Sequence, residues 1–530
     1  MVQEDSKAQQ EVMKRWREEM MRHMKRVAKA MELALRPSEP EVGRTPRDLI
    51  YRKGKARLYR YHPATEKVYP VPVLMVPNVG ISRPYVFDLY PGNSFIEYMV
   101  KQGFDFYLLD WGVFGDEDNK LTVDDCVLGI LPIMVKKVLE ASQAGEVSLL
   151  GYCMGAPLCS CYVALHPEGP VRNLINMAGP IDFEKGGLFT TWMDKRHFDV
   201  EKLVDTFGGM PADLIRVGFK LLKPTAELTT YTNLWWNLWN DRYVEGFKAL
   251  NRWANEYTPF PGEFFKQWVK AFDQENKLIK GELHLGGRRV DLSSIRCSVL
   301  VVGAQTDYIA PAECVKALID GVSSRDREYI ELPGGHISLI AGRQAARVAW
   351  PKVSGWLMNS TPSKEELLQQ WKQSTEQGIK AWFEMLGRTS EPDIYQYWKP
   401  FFDQGMALLS QMMGQDATPE LLHLWKQVLD QGIEAWSKAL EEAMATEGFA
   451  SALGRYLDQY LSAVGPVRKD IGQYGEAYLR ALGLPSRTQI AEMASQLSWV
   501  ESRIEELEAK IEKVLAGLAS LEAAFKGERH

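Results

Sequence analysis

The stretch "GYCMG", residues 151–155, sets Cys153 between two glycines, where the apolar run "VSLLG" (147–151) gives way to a helix-forming segment. A nucleophile carried on a sharp strand-to-helix turn needs small neighbours, because only they let the chain reverse so tightly. The helix N-terminus that follows favours the thiolate of Cys153. Two more residues complete a constellation: Asp307 in "GAQTDYIAP" and His336 in "LPGGHISL", each just past another apolar run. Taken singly, Asp307 also suits the N-cap of a helix starting near Pro311, and His336 a loop histidine satisfied by backbone groups. Together, in the chain order nucleophile, acid, histidine, they point to acyl chemistry with Cys153 as nucleophile and His336 as base.

A cysteine in this place suits a particular kind of acyl chemistry. A thiol is a good nucleophile near neutral pH, and its thioester stays activated toward a second acceptor. Transfer between thioesters and a growing chain fits better than simple hydrolysis. The oxyanion of each tetrahedral intermediate requires N–H donors. The expected donors are the backbone N–H groups of Met154 and of Ile81, the latter in the loop "PNVGISRPY" (77–85).

Such a constellation needs strands to carry it. "VPVLMVP" (71–77), "FDFYLLDW" (104–111), "VSLLG" (147–151), "LINMAG" (174–179), "SVLVVG" (298–303) and "REYIELPGG" (327–335) read as buried strands. Their nearly continuous apolar character predicts a mostly parallel sheet covered by helices on both faces, an α/β-hydrolase fold. Between 179 and 298 the rhythm breaks into a helical interval rich in tryptophan (Trp192, Trp235, Trp236, Trp239, Trp253, Trp268), read as a cap over the C-terminal edge of the sheet.

Outside this region the pattern is helical. Met13, Trp16, Met20, Met24, Val27 and Met31 recur three or four apart within 11–35, opposite a face of Lys and Arg. This is an amphipathic helix, either docked on the main body or lying on a lipid or granule surface. After Pro362 an internal repeat of period 27 appears as "WKQSTEQGI", "WKPFFDQGM" and "WKQVLDQGI", starting at 371, 398 and 425. Such repeats stack helical units on a shared face or present tryptophans to a partner. From Ile490 to Leu521 apolar residues alternate steps of three and four, either the seam of a coiled coil that would make the chain a homo-oligomer or a long amphipathic helix packed in cis. The expected division is a helix in 1–40, a catalytic domain over 41–360 with its cap at about 180–297, helical repeats over 361–485 and a coiled coil over 486–530.

Composition excludes several classes. The 530 residues carry a net charge of −6 with no basic, aromatic-laced stripe, which argues against nucleic acid as a partner. The six cysteines form no CxxC pair and the eight histidines lack ligand spacing, so neither a disulfide framework nor a metal site is expected. The sequence shows no signal-peptide pattern and no apolar run long enough to span a bilayer, and a cytoplasmic location is expected.

Residues 45–360 resemble the catalytic subunit of the polyhydroxyalkanoate synthases, most closely the class III form. The resemblance rests on "SRPYVFDL" (82–89), "YLLDWG" (107–112), "GYCMG", "GPIDF" (179–183) and "NKLIKGELHLGGRRVDLSSI" (276–295), together with the Asp307 and His336 segments. The stretch "ALGLPSRTQIAEMASQLSWVESRIEELE" (481–508) is similar to the end of the accessory subunit that class III enzymes recruit as a separate chain. The resemblance implies an acyltransferase that polymerises (R)-3-hydroxyacyl-coenzyme A into polyester with release of coenzyme A, needs no cofactor and works at the surface of polyester granules. It implies that Cys153 carries the acyl chain, that His336 is the general base, and that Asp307 orients His336 or helps activate the 3-hydroxyl of the incoming monomer. Two positions depart from the family: Ala156 stands where glycine is usual, and Tyr308 where histidine follows the aspartate. The same residues also suit a cysteine-dependent thioesterase or acyltransferase of this fold, or a granule scaffold without catalysis.

Overall fold

The computed structural model describes Lys14 and residues 20–33, 39–66 and 68–359, with positions 444, 446–451, 453–455, 457, 458 and 461 further on. The Trp-Lys repeats that start at 371, 398 and 425 and the heptad seam over 490–521 lie outside the described residues.

Eight strands form the central sheet: β1 (Arg47–Lys53), β2 (Ala56–Tyr61), β3 (Val73–Val76), β4 (Phe106–Asp110), β5 (Val147–Tyr152), β6 (Val171–Met177), β7 (Ser298–Ala304) and β8 (Arg327–Leu332). They lie in the spatial order β1-β2-β4-β3-β5-β6-β7-β8. All pairs from β4 to β8 are parallel, whereas β1 and β2 join antiparallel at one edge. Every residue of β3, β4 and β5 is buried, because helices cover both faces and no position faces water. This is the α/β-hydrolase architecture, and all six expected strands are present, but β8 is not buried as expected: it lies at the sheet edge and is exposed or half-buried up to Leu332.

The antiparallel β1–β2 hairpin was not among the expected strands. Its sequence, "RDLIYRKGKARLYRY", interleaves Arg and Lys with apolar residues, and β1 is mostly exposed. Charged side chains on an edge strand block further pairing, and they also hide the strand from a search for apolar runs.

Three helices matter for the site. α1 (Phe95–Lys101) is capped by Ser94, whose hydroxyl accepts from the Glu97 N–H. α2 (Leu131–Ser142) buries Leu131, Met134, Val135 and Val138 against the sheet. α3 (Gly155–Leu165) is buried along its whole length, consistent with its small and apolar composition, "GAPLCSCYVAL".

The interval between β6 and β7 forms the cap, built around α4 (Val200–Phe207), α5 (Ala212–Leu222), α6 (Ala226–Asn237), α7 (Asp241–Asn255) and α8 (Gly262–Trp268). Its tryptophans take different roles. Trp268 stacks on Phe272 at 4.4 Å between centroids inside the cap, whereas Trp235 stands 42% exposed. Trp253 Nε1 donates to Arg83 O at 2.9 Å, and Tyr257–Thr258 pairs with Ile81–Ser82. The cap is thereby pinned to the loop that leaves β3.

Helical residues 20–33 approach the cap with their basic face. The Arg22 and Arg26 guanidinium groups lie 5.1 and 5.2 Å from the ring centroids of Trp239 and Trp236, and Lys29 pairs with Asp241 at 3.1 Å. Met20, Met24, Val27 and Met31 face outward instead, between 38% and 62% exposed. Docking thus uses cation–π contacts and leaves the apolar stripe free. On another side of the cap, Trp192 Nε1 donates to Met444 O at 3.2 Å, and Met444 and Ala450 share a buried cluster with Leu188, Trp192 and Leu222. Ion pairs Arg196–Glu447 and Lys202–Asp458 flank this contact.

Among the described residues no helix is long and apolar enough to cross a membrane.

Candidate active site

Cys153 stands where β5 turns into α3, at a φ of 52°. That left-handed conformation costs an L residue about 1–2 kcal/mol, so its surroundings must impose it. The Cys153 N–H donates to Met177 O at 3.0 Å, and the Ala156 N–H donates to Cys153 O at 3.1 Å. A Cβ at Gly151 would overlap the backbone of Ala156, and one at Gly155 would overlap the Val76 carbonyl. Both glycines of the motif are therefore required for the turn to press α3 against the end of β3.

Asp307 and His336 arrive on the loops that follow β7 and β8. Those strands run in register from Val299 beside Arg327 to Ala304 beside Leu332, and the loops stay stitched beyond the sheet. Gln305 N–H donates to Leu332 O at 2.9 Å and Thr306 N–H to Gly334 O at 3.0 Å. His336 Nδ1–H then donates to Asp307 Oδ2 at 2.7 Å. The other carboxylate oxygen accepts from the N–H groups of Ile309 and Ala310 at 2.8 and 2.9 Å. Asp307 is therefore the partner of His336 and closes the turn 307–310, but it does not cap the following helix, whose N-cap is Pro311.

The three groups form one buried cluster, with Cys153 9%, Asp307 6% and His336 6% exposed. Burial alone would disfavour a charged imidazole. The charges of Asp307 and Cys153, and hydrogen bonds to both, outweigh it and hold the His336 pKa above its ordinary value. The other cysteines contrast with this: burial pushes the thiols of Cys126, Cys159 and Cys161 well up, and those of Cys297 and Cys314 up to about 12. They are packing groups.

The two expected oxyanion donors come from different segments, the turn itself and the loop that leaves β3. Met154 immediately precedes α3, and among the described residues its N–H meets no protein acceptor. Ile81 has a φ of 63°, on the loop whose first carbonyl, Pro77 O, lies against Gly155. Asn78 holds this loop by donating from Nδ2 to Gly80 O at 2.5 Å.

Two supporting residues went unremarked in the sequence. Tyr152 packs its ring 5.0 Å from the His336 imidazole and donates from its hydroxyl to His336 O at 3.3 Å. Asn176 clamps the adjoining turn, accepting from Gly179 N–H at 2.8 Å and donating to Gly179 O at 3.1 Å. Tyr152 was visible inside "GYCMG", but nothing in the motif tells that it supports the histidine. At the two positions that depart from the family, Ala156 places its Cβ against Gly179, where a second Cβ would overlap it. Tyr308 is 36% exposed, with Lys223 Nζ 5.1 Å from its ring centroid.

Comparison with known proteins agrees with the fold. Residues 83–342 match the family described as alpha/beta hydrolase fold, and residues 8–99 match the N-terminus of poly-beta-hydroxybutyrate polymerase (PhaC). The poly(3-hydroxyalkanoate) polymerase subunit PhaC of Allochromatium vinosum is 34% identical over 345 residues, which cover 64% of this chain and 96% of the relative. The chain belongs to the PhaC family. The PhaC subunit of Haloferax mediterranei is 37% identical over 62% of this chain and 67% of its own. That of Synechocystis sp. is 33% identical over 61% of this chain and 87% of its own. With these PhaC relatives the aligned share stays under two thirds of the chain.

Proposed function

We propose that this protein polymerises (R)-3-hydroxyacyl-coenzyme A into polyester through a thioester on Cys153. The observation that carries the reading is the buried Cys153, His336 and Asp307 cluster at a strained strand-to-helix turn, in a chain of the PhaC family. The Cys153 thiol gives its proton to His336 Nε2, since Nδ1–H is engaged with Asp307. The sulfur attacks the thioester carbonyl, and the oxyanion is received by the N–H groups of Met154 and Ile81. The intermediate collapses, and coenzyme A leaves with the proton returned by His336. In elongation the 3-hydroxyl of the next monomer loses its proton to His336 or Asp307 and attacks the bound acyl carbon. An ester forms and the thiol is released. Thiol, imidazole, carboxylate and hydroxyl suffice for the balance of each step.

The raised His336 pKa supports this assignment, because a strong proton acceptor beside the thiol favours the thiolate. In the same reading the protein works in the cytoplasm at the polyester surface. The outward row of Met20, Met24, Val27 and Met31 supports contact with that apolar product. The helical region beyond 360 acts as a built-in accessory subunit, and the heptad seam over 490–521 joins copies of the chain.

The test is to incubate the purified protein with 3-hydroxybutyryl-coenzyme A and to follow free thiol and polymer together. Polymer appearing in step with thiol supports the reading. Thiol release with free hydroxyacid and no polymer supports the thioesterase alternative, and no thiol release supports the scaffold.

A further inference from the structure

A groove of about 890 Å³ lies outside the reacting cluster, between α5, α6 and α7 of the cap and the chain segments at 89–93 and 341–347. Its walls carry Lys220, Lys223, Arg242, Arg343 and Arg347 against a single acid, Glu227. Lys220 pairs with Glu227 at 2.6 Å, which leaves four cations without a carboxylate partner among the described residues. In a chain of net charge −6, that concentration is local and is not a sample of the surface. Beside the cations stand aromatic rings: Tyr231 and Phe247 meet edge to face at 5.8 Å, with Tyr231 54% exposed.

The chemistry of this surface specifies its ligand. A polyester or an acyl chain is uncharged and gains nothing from unpaired guanidinium groups. A molecule with several phosphate charges and a planar apolar part satisfies both kinds of wall. Arg343 and Arg347 are one helical turn apart, spaced to hold neighbouring phosphates with planar forks. Three of its lining residues border segments that carry the reacting groups. Lys223 stands over Tyr308, the residue after Asp307, and Ala341 and Gly342 follow the short helix His336–Leu339.

We propose that this groove holds the phosphate-bearing nucleotide end of the coenzyme A thioester, with Arg343 and Arg347 on its phosphates and Tyr231 beside its base. The proposal rests on the acyltransferase reading above, and the pantetheine arm then leads past Lys223 toward Cys153.

The experiment compares the full-length chain with the double variant Arg343→Gln/Arg347→Gln, using Arg325→Gln, in the exposed loop before β8, as a control. Binding of adenosine 3′,5′-bisphosphate is measured by titration calorimetry, and KM and kcat by coenzyme A release from 3-hydroxybutyryl-coenzyme A. The double variant is expected to raise KM and the bisphosphate Kd by roughly 10-fold or more, with kcat within about twofold, since lost charge-assisted hydrogen bonds weaken ground-state binding. The control is expected to change neither, and the rate of Cys153 alkylation by iodoacetamide is expected to match in all three, reporting an intact site. Acyl transfer with unchanged KM in the double variant overturns the proposal. Bisphosphate binding that the double variant loses, in a protein that releases no coenzyme A, supports the groove and overturns the acyltransferase reading instead.

Discussion

His336 Nδ1 and Asp307 Oδ2 meet at 2.7 Å, with the two side chains 5% and 0% exposed. The pair belongs to two loops that remain hydrogen-bonded to each other past the ends of β7 and β8. Strand register therefore sets the distance between acid and histidine, and β5 brings the thiol to the same edge of the sheet. A residue pair built this way is rigid before substrate arrives, which is the condition for a proton to move without reorganising its surroundings.

Asp307→Asn removes the charge that, against burial, holds the His336 pKa up. The imidazolium form becomes less favourable, so His336 accepts the thiol proton less readily. Alkylation of Cys153 by iodoacetamide at pH 7 is expected to slow by roughly 10-fold or more. A variant alkylated as fast as the parent shows that Asp307 does not tune His336.

Cys153→Ala is expected to abolish coenzyme A release, a loss of about 10³-fold or more, while Cys153→Ser retains trace activity. The φ of 52° adds a stability test. Cys153→Gly is expected to melt above Cys153→Ala, because glycine relieves left-handed strain of about 1 kcal/mol. Equal melting temperatures argue against strain at the turn.

Gly155→Ala places a Cβ onto the Val76 carbonyl, with Pro77 O 2.7 Å away, and backbone cannot swing aside as a side chain can. A loss of about 1–3 kcal/mol is expected, read from thermal or urea unfolding, together with a fall in activity as the turn shifts. Ala156→Gly, which restores the residue usual in the family, is expected to cost about 1 kcal/mol through helix propensity and to leave kcat within about twofold. If the two variants unfold alike, close approach at Gly155 is not what shapes the turn.

Legibility in the sequence followed burial. Strands β3 to β7 were visible because both of their faces are covered, which makes them apolar runs, whereas the edge strand β8, "REYIEL", is exposed or half-buried up to Leu332. The β1–β2 edge, with water on one side and arginines along it, carried no such signal. Cys153, Asp307 and His336 were legible because chemistry fixes their types and strand ends fix their places. The cation groove was not, since its members come from segments near 90, 220, 242 and 345, each unremarkable alone. Nor did periodicity tell which face of the N-terminal helix docks, because an apolar stripe suits burial and exposure to an apolar surface alike.

The contact between the cap and residues 444–461 ties the far helical region to the catalytic domain. Trp192 buries its ring among Leu188, Leu222, Met444 and Ala450, and its indole N–H has Met444 O as acceptor. Ending the chain at residue 359 removes Met444 and Ala450 and leaves a buried donor unpaired and an apolar face open. An exposed tryptophan of this kind costs roughly 1.5–3 kcal/mol in lost burial, on cap elements that border the site. The shortened chain is expected to release coenzyme A more slowly than the full chain and to bind a hydrophobic dye. Removing the heptad seam over 490–521 is also expected to lower its sedimentation coefficient to that of a single copy. Trp192→Ala in the full chain separates the two effects, since it is expected to slow coenzyme A release while leaving sedimentation unchanged. If the shortened and full chains agree in both assays, the helical region neither supports the cap nor joins copies, and its accessory role falls.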